Sequence, residues 1–321
     1  MQGKALVETA RATVEQIAAD NEFARAAEYA ALSRAENTRR AYAADWNDWS
    51  RHCAARSWAT LPAEPATVAA YLAGMADAGR KVATIRRRLV AIGVAHKMAG
   101  YQSPADAAAV RTTVEGIERK LGAAPLKKAA LTVDLIAKAL KRIPDDLTGK
   151  RDRALLTVGF AAALRRSEIV GLDVTDIRHH PKGLVLHLRR SKTDQRGAGK
   201  TKAIPTGRRI HVAEALEAWL AAAGIKDGPI FRGVRGSTVL ADRLCTEQVA
   251  RIVKARAAAI GLNPKSFAGH SLRSGYISSA ADAGATLQTI ATHAGHAKVD
   301  TTLGYVQVQD AFANHSGRKF L

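Results

Sequence analysis

Apolar side chains recur every three or four residues through the first third of this chain, and no other feature constrains its fold as strongly. Only an α-helix places residues at that interval on one face, where they can pack together. Tyr42, Trp46, Trp49 and Cys53 form the first such stripe, behind a helix start predicted at Asn37. The stripe is expected to face a buried core.

Three more helices are predicted in the same region, joined by short loops, at residues 65–79, 82–99 and 105–121. The first of them begins at Pro65, buries Tyr71 and ends at Gly79. Short-linked helices of this kind predict a compact all-α domain at 31–121. Residues 1–30 are rich in Ala and Glu and predict a separate N-terminal helical extension.

Residues 122–130 have no convincing apolar period and contain a proline, which is typical of a linker. Further helices are predicted at 133–142 and 150–164, and again from Ala213, Thr246 and Ser271. Between them, 184–188 and 203–205 predict two strands of a hairpin. We therefore expect a mainly α chain of two domains, the second at 131–321 and mostly helical with a small antiparallel sheet.

The charge of the chain points to a polyanionic partner. Lys and Arg number 49 against 29 Asp and Glu, which gives a formal net charge of +20. Basic side chains displace counterions condensed on phosphates, so the charge favours nucleic-acid binding over a basic surface that only aids solubility. The sequence shows no signal peptide and no apolar run long enough for a bilayer, which predicts a cytoplasmic protein without membrane contact. Cys53 and Cys245 are expected to be reduced core residues.

One helix of the first domain carries a basic face. Lys81, Thr84, Arg86 and Arg87 lie on it and are the strongest candidates for DNA contact in this domain. The alternative is a basic face that meets only water, which is common on helices.

Two arginines, two histidines and a tyrosine occur in an order that suits phosphodiester chemistry. Arg165 follows a predicted helix, His270 and Arg273 lie one turn apart, and His296 and Tyr305 come later. Arginines can neutralise the non-bridging phosphate oxygens, histidines can donate hydrogen bonds and transfer protons, and a tyrosine hydroxyl can attack phosphorus.

These residues also have simpler explanations. Arg165 can form a purely structural ion pair with Glu168, and Tyr276 is a second tyrosine close to the arginine motif. His293 and His296 have the spacing of zinc ligands, but neither Cys nor a nearby carboxylate helix completes a ligand set, so a metal site is not favoured.

Together the motifs resemble the tyrosine recombinase, or phage integrase, family. The segment Ala163-Leu164-Arg165-Arg166-Ser167-Glu168 is similar to the family's Gly-Leu-Arg-x-Ser-Glu, with Ala163 in place of Gly. The resemblance implies six catalytic residues: Arg165, Lys192, His270, Arg273, His296 and Tyr305. It implies that Tyr305 is the nucleophile and that Glu168 holds the site in place.

The general acid is also implied by the resemblance. Arg190-Ser191-Lys192-Thr193 is similar to a segment on a mobile hairpin of the family, which makes Lys192 the proton donor to the leaving group. Lys200 and Lys202 lie on the same hairpin and are expected to contact DNA backbone phosphates.

The family resemblance further implies a C-shaped clamp around double-stranded DNA with an inverted-repeat site. Strands would be exchanged through a 3′-phosphotyrosyl link without a metal, ATP or other cofactor. We expect a monomer in free solution and a homotetramer on paired sites, in which a C-terminal helix with Val308, Ala311 and Phe312 docks into the neighbouring protomer. The alternative for this helix is that it packs on its own domain. The alternatives are a type IB topoisomerase and a non-catalytic DNA-binding protein derived from an integrase.

Overall fold

The chain divides into two compact units, Met1–Leu126 and Lys127–Leu321, in a computed structural model. The structure describes residues 36–122, 128–189, 199–296 and 299–303, apart from the side chains of Asp300 and Thr301. The expected N-terminal extension and most of the expected linker lie outside the described residues. Within those ranges, no helix is both long and apolar enough to cross a membrane.

The first unit is all-helical over the part described. Its α-helices are α1 (Glu36–Ala54), α2 (Pro65–Asp77), α3 (Val82–Met98) and α4 (Ala108–Leu121), and a short 3₁₀ turn, Pro104–Asp106, precedes the last. The apolar stripes of these helices meet in one core that contains Trp49, Tyr71 and Ile92. Two polar groups of this core have partners: the Trp49 indole donates to the Thr60 carbonyl at 3.2 Å and the Tyr71 hydroxyl donates to Asp48 at 2.7 Å.

The second unit combines helices with a small three-stranded sheet. Its α-helices are α5 (Val133–Lys141), α6 (Leu147–Ala161), α7 (Arg166–Gly171), α8 (Val212–Ala223), α9 (Thr246–Ala258), α10 (Ser271–Asp282), α11 (Leu287–Ala294) and α12 (Val299–Leu303). Helix α6 is buried along almost its whole length and packs against α8 and α10. The indole of Trp219 donates to the Ile230 carbonyl at 2.8 Å inside this core.

The sheet is antiparallel in the order β1 (Ile177–His180), β2 (Gly183–Leu188) and β3 (Lys200–Pro205). In β3 the buried positions are Lys202 and Ile204, and Lys202 pairs with Leu186 of β2. A separate two-stranded hairpin consists of β4 (Arg232–Arg235) and β5 (Thr238–Arg243). The mainly α fold with small antiparallel sheets, expected from the sequence, is confirmed.

The structure corrects several local expectations. Glu36 is already helical, so Asn37 lies inside α1 and does not cap it. Cys53 is buried as expected, but Cys245 is exposed at the start of α9 and is not a core residue. Strand β1 and the β4–β5 hairpin were not anticipated, because their side chains are mostly exposed and show no apolar alternation.

Gly275 fixes how closely helix α10 approaches the segment before α5. A Cβ atom built there would lie 1.9 Å from the Leu131 carbonyl oxygen, so Gly275→Ala must push the helix away. We expect a loss of about 1–3 kcal/mol in the free energy of unfolding, measured by denaturant titration with far-UV circular dichroism. The matched control is Gly116→Ala inside α4, where a Cβ meets nothing within 4 Å and a gain of about 0.5–1 kcal/mol is expected. Equal stability changes in the two variants would contradict the close approach.

Candidate active site

Helix α6 ends in a Schellman motif, and this ending forms the floor of the site. The Ala163 amide donates to the Phe160 carbonyl and the Leu164 amide donates to Gly159, both at 2.9 Å. Ala163 has φ +49°, in the left-handed region where glycine is usual, and an L-residue pays roughly 1–2 kcal/mol of strain there. The family's glycine at this position therefore has a backbone reason, and Ala163 adopts the same conformation.

Arg165 stands at the start of α7, immediately after this turn. Its backbone amide donates to Glu168 Oε2 at 2.8 Å and its guanidinium donates to Glu168 Oε1 at 2.6 Å. Its NH2 atom lies 3.5 Å from the Gly295 carbonyl oxygen. The side chain of Arg165 is 19% exposed, whereas Glu168 is buried, so the carboxylate fixes the guanidinium without enclosing it.

Helix α10 supplies His270 and Arg273. His270 is the residue that precedes the helix and is exposed, while Arg273 is 1% exposed and donates through NH1 to the Ala163 carbonyl at 2.8 Å. The two residues lie three positions apart, on the same side of the helix start, and the charge of His270 acts on His296. Arg273 is thus fixed by the backbone of the segment that carries Arg165.

His296 follows α11, which ends at Gly295 with φ +68°. The His296 ring is half-buried, and its Nδ1 atom lies 2.8 Å from the hydroxyl of Thr302 in α12. Thr302 is fully buried. This hydrogen bond holds the start of the segment that leads to Tyr305.

Lys202 and His293 also reach the end of α6. The Lys202 ammonium is buried and donates to the carbonyls of Ala162 and His293, each at 2.6 Å. His293 Nε2 donates to the Ala161 carbonyl at 2.9 Å, and its ring stacks on Tyr276 with centroids 4.6 Å apart. In the described part of the chain, no three His, Cys, Asp or Glu side chains form a group that could hold a metal ion.

The site carries an excess of positive charge, and the lowered pKa values of His296 and Lys202 are partly due to it. Burial, followed by the charges of Arg273, Arg165, His270 and Lys202, lowers the pKa of His296 to about 4. Burial is also the main reason why the pKa of Lys202 falls to about 8, with Arg273 lowering it further and Glu168 opposing the shift. Glu168 is already paired with Arg165, so the local potential favours an added anion.

The structure brings together five predicted residues: Arg165, Glu168, His270, Arg273 and His296. Lys192 and Tyr305 lie outside the described residues. Lys202 lies inside the site and not on the outer face of the hairpin. A signal for this position was present, because Lys202 is two residues before the buried Ile204 in a strand and therefore shares its inward face.

A model of the phage integrase family matches residues 130–311, which is more than half of the chain. An integrase/recombinase XerD homologue from Selenomonas ruminantium is 34% identical over 291 residues, covering 88% of this chain and 85% of the relative. The chain belongs to the phage integrase family. A tyrosine recombinase XerC from Mycobacterium leprae (strain TN) is 30% identical over 285 residues, covering 86% of this chain and 89% of the relative.

Solved structures of the family share the fold. A lambda integrase dimer bound to a COC′ core site matches with a TM-score of 0.61 at 19% identity, covering 85% of this chain and 89% of that chain. A post-cleavage complex of XerH site-specific recombinase with a palindromic difH substrate matches with a TM-score of 0.58 at 14% identity, covering 76% and 69%. The protein is a tyrosine site-specific recombinase, and the topoisomerase alternative is not favoured.

The low pKa of His296 predicts how the integrase responds to acid. An unfolded histidine has a pKa of about 6.5, so between about pH 6.5 and pH 4 the unfolded chain binds more protons at this position than the folded chain. The free energy of unfolding is therefore expected to fall as the pH drops through this window. Titration of the His296 ring by NMR should show a neutral imidazole down to about pH 4.

The control for this prediction is His296→Gln. Without the imidazole, the pH dependence of the free energy of unfolding between about pH 6.5 and 4 should become flatter, because one shifted group has been removed. His293 keeps its own contribution in the same direction, since burial also lowers its pKa. A ring of His296 that titrates near pH 6.5 in the free protein would contradict the expectation.

Proposed function

We propose that this recombinase cleaves and rejoins double-stranded DNA at an inverted-repeat site, with Tyr305 as the nucleophile. One observation carries the proposal: Arg165, Arg273 and His270 lie close enough to His296 for their charges to lower its pKa. The excess charge is matched by the single negative charge of a phosphodiester and by the additional negative charge that develops as the phosphorus is attacked. Arg165 and Arg273 bind the non-bridging oxygens, and the two histidines donate hydrogen bonds to them.

The position of Thr302 supports the role of Tyr305. Thr302 contacts His296, and Tyr305 follows Thr302 by only three residues in the sequence, a length of chain that spans at most about 11 Å when fully extended. That reach is short enough for the phenol oxygen to meet a phosphate held by the arginines.

Cleavage is a transesterification. The phenol oxygen of Tyr305 forms a bond to phosphorus and passes its proton to His270, and the bond from phosphorus to the deoxyribose O5′ breaks. Lys192 gives the proton that the leaving 5′-oxygen needs, because an alkoxide is too basic to depart unaided. Attack by the 5′-hydroxyl of the partner strand on the phosphotyrosine reverses the step, so the bond energy is conserved and we expect no requirement for ATP or a metal.

Removal of one oxygen tests the nucleophile. We expect Tyr305→Phe to bind the recombination site as tightly as the wild type and to form no covalent protein–DNA complex on a nicked suicide duplex. The duplex carries the inverted repeat that the wild-type protein selects from a randomised pool. Denaturing gel electrophoresis with end-labelled DNA detects the covalent product.

The matched control is Tyr276→Phe, which removes a hydroxyl from a ring that stacks on His293. This variant should retain the covalent product. A covalent complex with Tyr305→Phe, or its loss with Tyr276→Phe alone, would overturn the assignment of the nucleophile.

The basic face of α3 is proposed to hold the DNA backbone, with Lys81, Thr84, Arg86 and Arg87 as contacts. Arg86 pairs with Glu118, and Arg87 pairs with Asp45 at 2.8 Å, while both arginine side chains remain at least half exposed. The exposed part of each side chain is the part that can meet a phosphate. Lys200 is proposed as a phosphate contact beside the active site.

A protein that binds DNA in this way is also proposed to associate with the nucleoid in the cytoplasm.

We further propose that four protomers assemble on two paired sites and that the free protein is a monomer. Exchange of strands between two sites requires two cuts in each, so the four active sites must be used in turn. Val308, Ala311 and Phe312 recur at helical spacing after Tyr305, although they lie outside the described residues. A short apolar helix of this kind cannot fold alone, and docking into a neighbouring protomer would couple assembly to the adjacent tyrosine.

Truncation before Gln309 tests this coupling. We expect the truncated protein to bind a half-site with the wild-type affinity, because the arginines and α3 are unchanged. Cooperative loading of the full site should fall, and cleavage should change, since the contact between protomers is missing. Native gel shifts on half-sites and full sites measure both effects, and wild-type cooperativity with wild-type recombination would rule out docking between protomers.

A further inference from the structure

We propose that Lys202 is a positioning residue for strand cleavage, because its ammonium joins the backbone segment that carries Arg165 to the segment that carries His296. This inference deepens the proposed function and rests on it. Lys202 is not assigned to the proton transfer or to direct contact with DNA.

Lys202 connects the two segments through hydrogen bonds from its ammonium group. Its Nζ atom donates to the Ala162 carbonyl and to the His293 carbonyl, each at 2.6 Å, and the residue is 8% exposed. Ala162 and His293 belong to different helices and are 131 positions apart in sequence, yet one nitrogen binds both. An ammonium has three donors, so it can satisfy two carbonyls at once, whereas an apolar side chain in the same place would leave both oxygens without this donor.

The two carbonyls lie a short distance before the catalytic residues in the sequence. Ala162 precedes Arg165 by three positions, and His293 precedes His296 by three positions. The connecting stretches are short turns, each with one left-handed residue, at Ala163 and at Gly295. A displacement of either carbonyl should therefore also displace the Arg165 guanidinium or the His296 imidazole.

Electrostatics explains why a cation occupies this buried place. Both carbonyls lie at helix C-termini, where unsatisfied backbone oxygens carry partial negative charge and favour a cation. Burial and the neighbouring charges of Arg273, Arg165 and Lys200 work against the ammonium, while Glu168 favours it. With its pKa lowered to about 8, Lys202 is still mostly protonated at pH 7 and thus keeps its full set of donors.

Two parallel contacts show that the same pair of segments is joined elsewhere. His293 Nε2 donates to the Ala161 carbonyl at 2.9 Å, and Arg165 NH2 approaches the Gly295 carbonyl at 3.5 Å. Lys202 makes the shortest hydrogen bonds of this group and comes from a third element, strand β3. Loss of its ammonium should loosen the alignment of the two segments without removing a group that touches the phosphate.

The decisive variants are Lys202→Met and Lys202→Arg. Methionine keeps a similar shape and removes every donor, whereas arginine keeps a cation with several donors. Lys182→Met, at an exposed lysine in the turn between β1 and β2, is the matched control. The probe is the nicked suicide duplex that carries the inverted repeat selected by the wild-type protein.

Affinity and rate are measured separately. We expect the Kd of Lys202→Met for the duplex to stay within about twofold of the wild-type value, because no DNA contact is removed. Single-turnover formation of the covalent complex at saturating DNA should be about 10- to 100-fold slower, since a small misplacement of catalytic groups has effects of that size. Lys202→Arg should recover much of the rate, and Lys182→Met should match the wild type in both measurements.

A duplex with a 5′-bridging sulfur at the scissile phosphate separates positioning from proton donation. A thiolate leaves without a general acid, so the sulfur should restore the rate of Lys192→Ala and not that of Lys202→Met. Rescue of Lys202→Met by sulfur would assign the acid to Lys202 and overturn the positioning role. A rate equal to wild type in Lys202→Met, or a defect confined to Kd, would also overturn it.

Two further outcomes are kept distinct. If the wild-type protein forms no covalent complex on this duplex, the proposed function itself fails, whatever Lys202 does. If Lys202→Met does not fold, as judged by circular dichroism, Lys202→Gln takes its place, because glutamine keeps a donor but is one atom shorter. A wild-type cleavage rate in folded Lys202→Gln would then contradict the positioning role of Lys202.

Discussion

The candidate active site depends on how the last carbonyls at the end of helix α6 are satisfied. The backbone oxygens of Ala161, Ala162 and Ala163 accept hydrogen bonds from His293, Lys202 and Arg273, respectively. These donors come from α11, β3 and α10, so one helix terminus gathers three separate elements. Buried carbonyls without partners are costly, and the same three bonds that remove this cost also place the basic groups around one point.

The turn that follows these carbonyls sets the direction of Arg165. Because Ala163 adopts a left-handed conformation, the chain leaves α6 abruptly and begins α7 after only four residues. Glu168 then accepts hydrogen bonds from both the backbone and the guanidinium of Arg165, which fixes the side chain from its own helix. Local backbone geometry and one ion pair therefore prepare the arginine before any substrate is present.

The resulting site combines several cations with one paired carboxylate. The cost of this arrangement is visible in the lowered pKa values of His296 and Lys202, both of which have burial as the largest cause. A bound phosphate would reverse part of this cost, since its negative charge stabilises the protonated forms. A site that is electrostatically unfavourable when empty is thereby matched to a charged substrate, and its rigidity comes from backbone contacts that do not depend on that substrate.

The sequence by itself determined the helical class, most element boundaries to within a few residues, and the motif residues Arg165, Glu168, His270, Arg273 and His296. These follow from local patterns: apolar spacing, the position of Gly and Pro, and short motifs within one or two turns. The tertiary structure alone decided which carbonyls Lys202 contacts and that Thr302 contacts His296. It also decided that three consecutive carbonyls accept hydrogen bonds from three different elements. The sequence showed Lys202 only as one of several hairpin lysines. Its partners, the carbonyls of Ala162 and His293, lie 40 and 91 positions away in the sequence. Only the packing of the whole unit brings groups so far apart in sequence into contact.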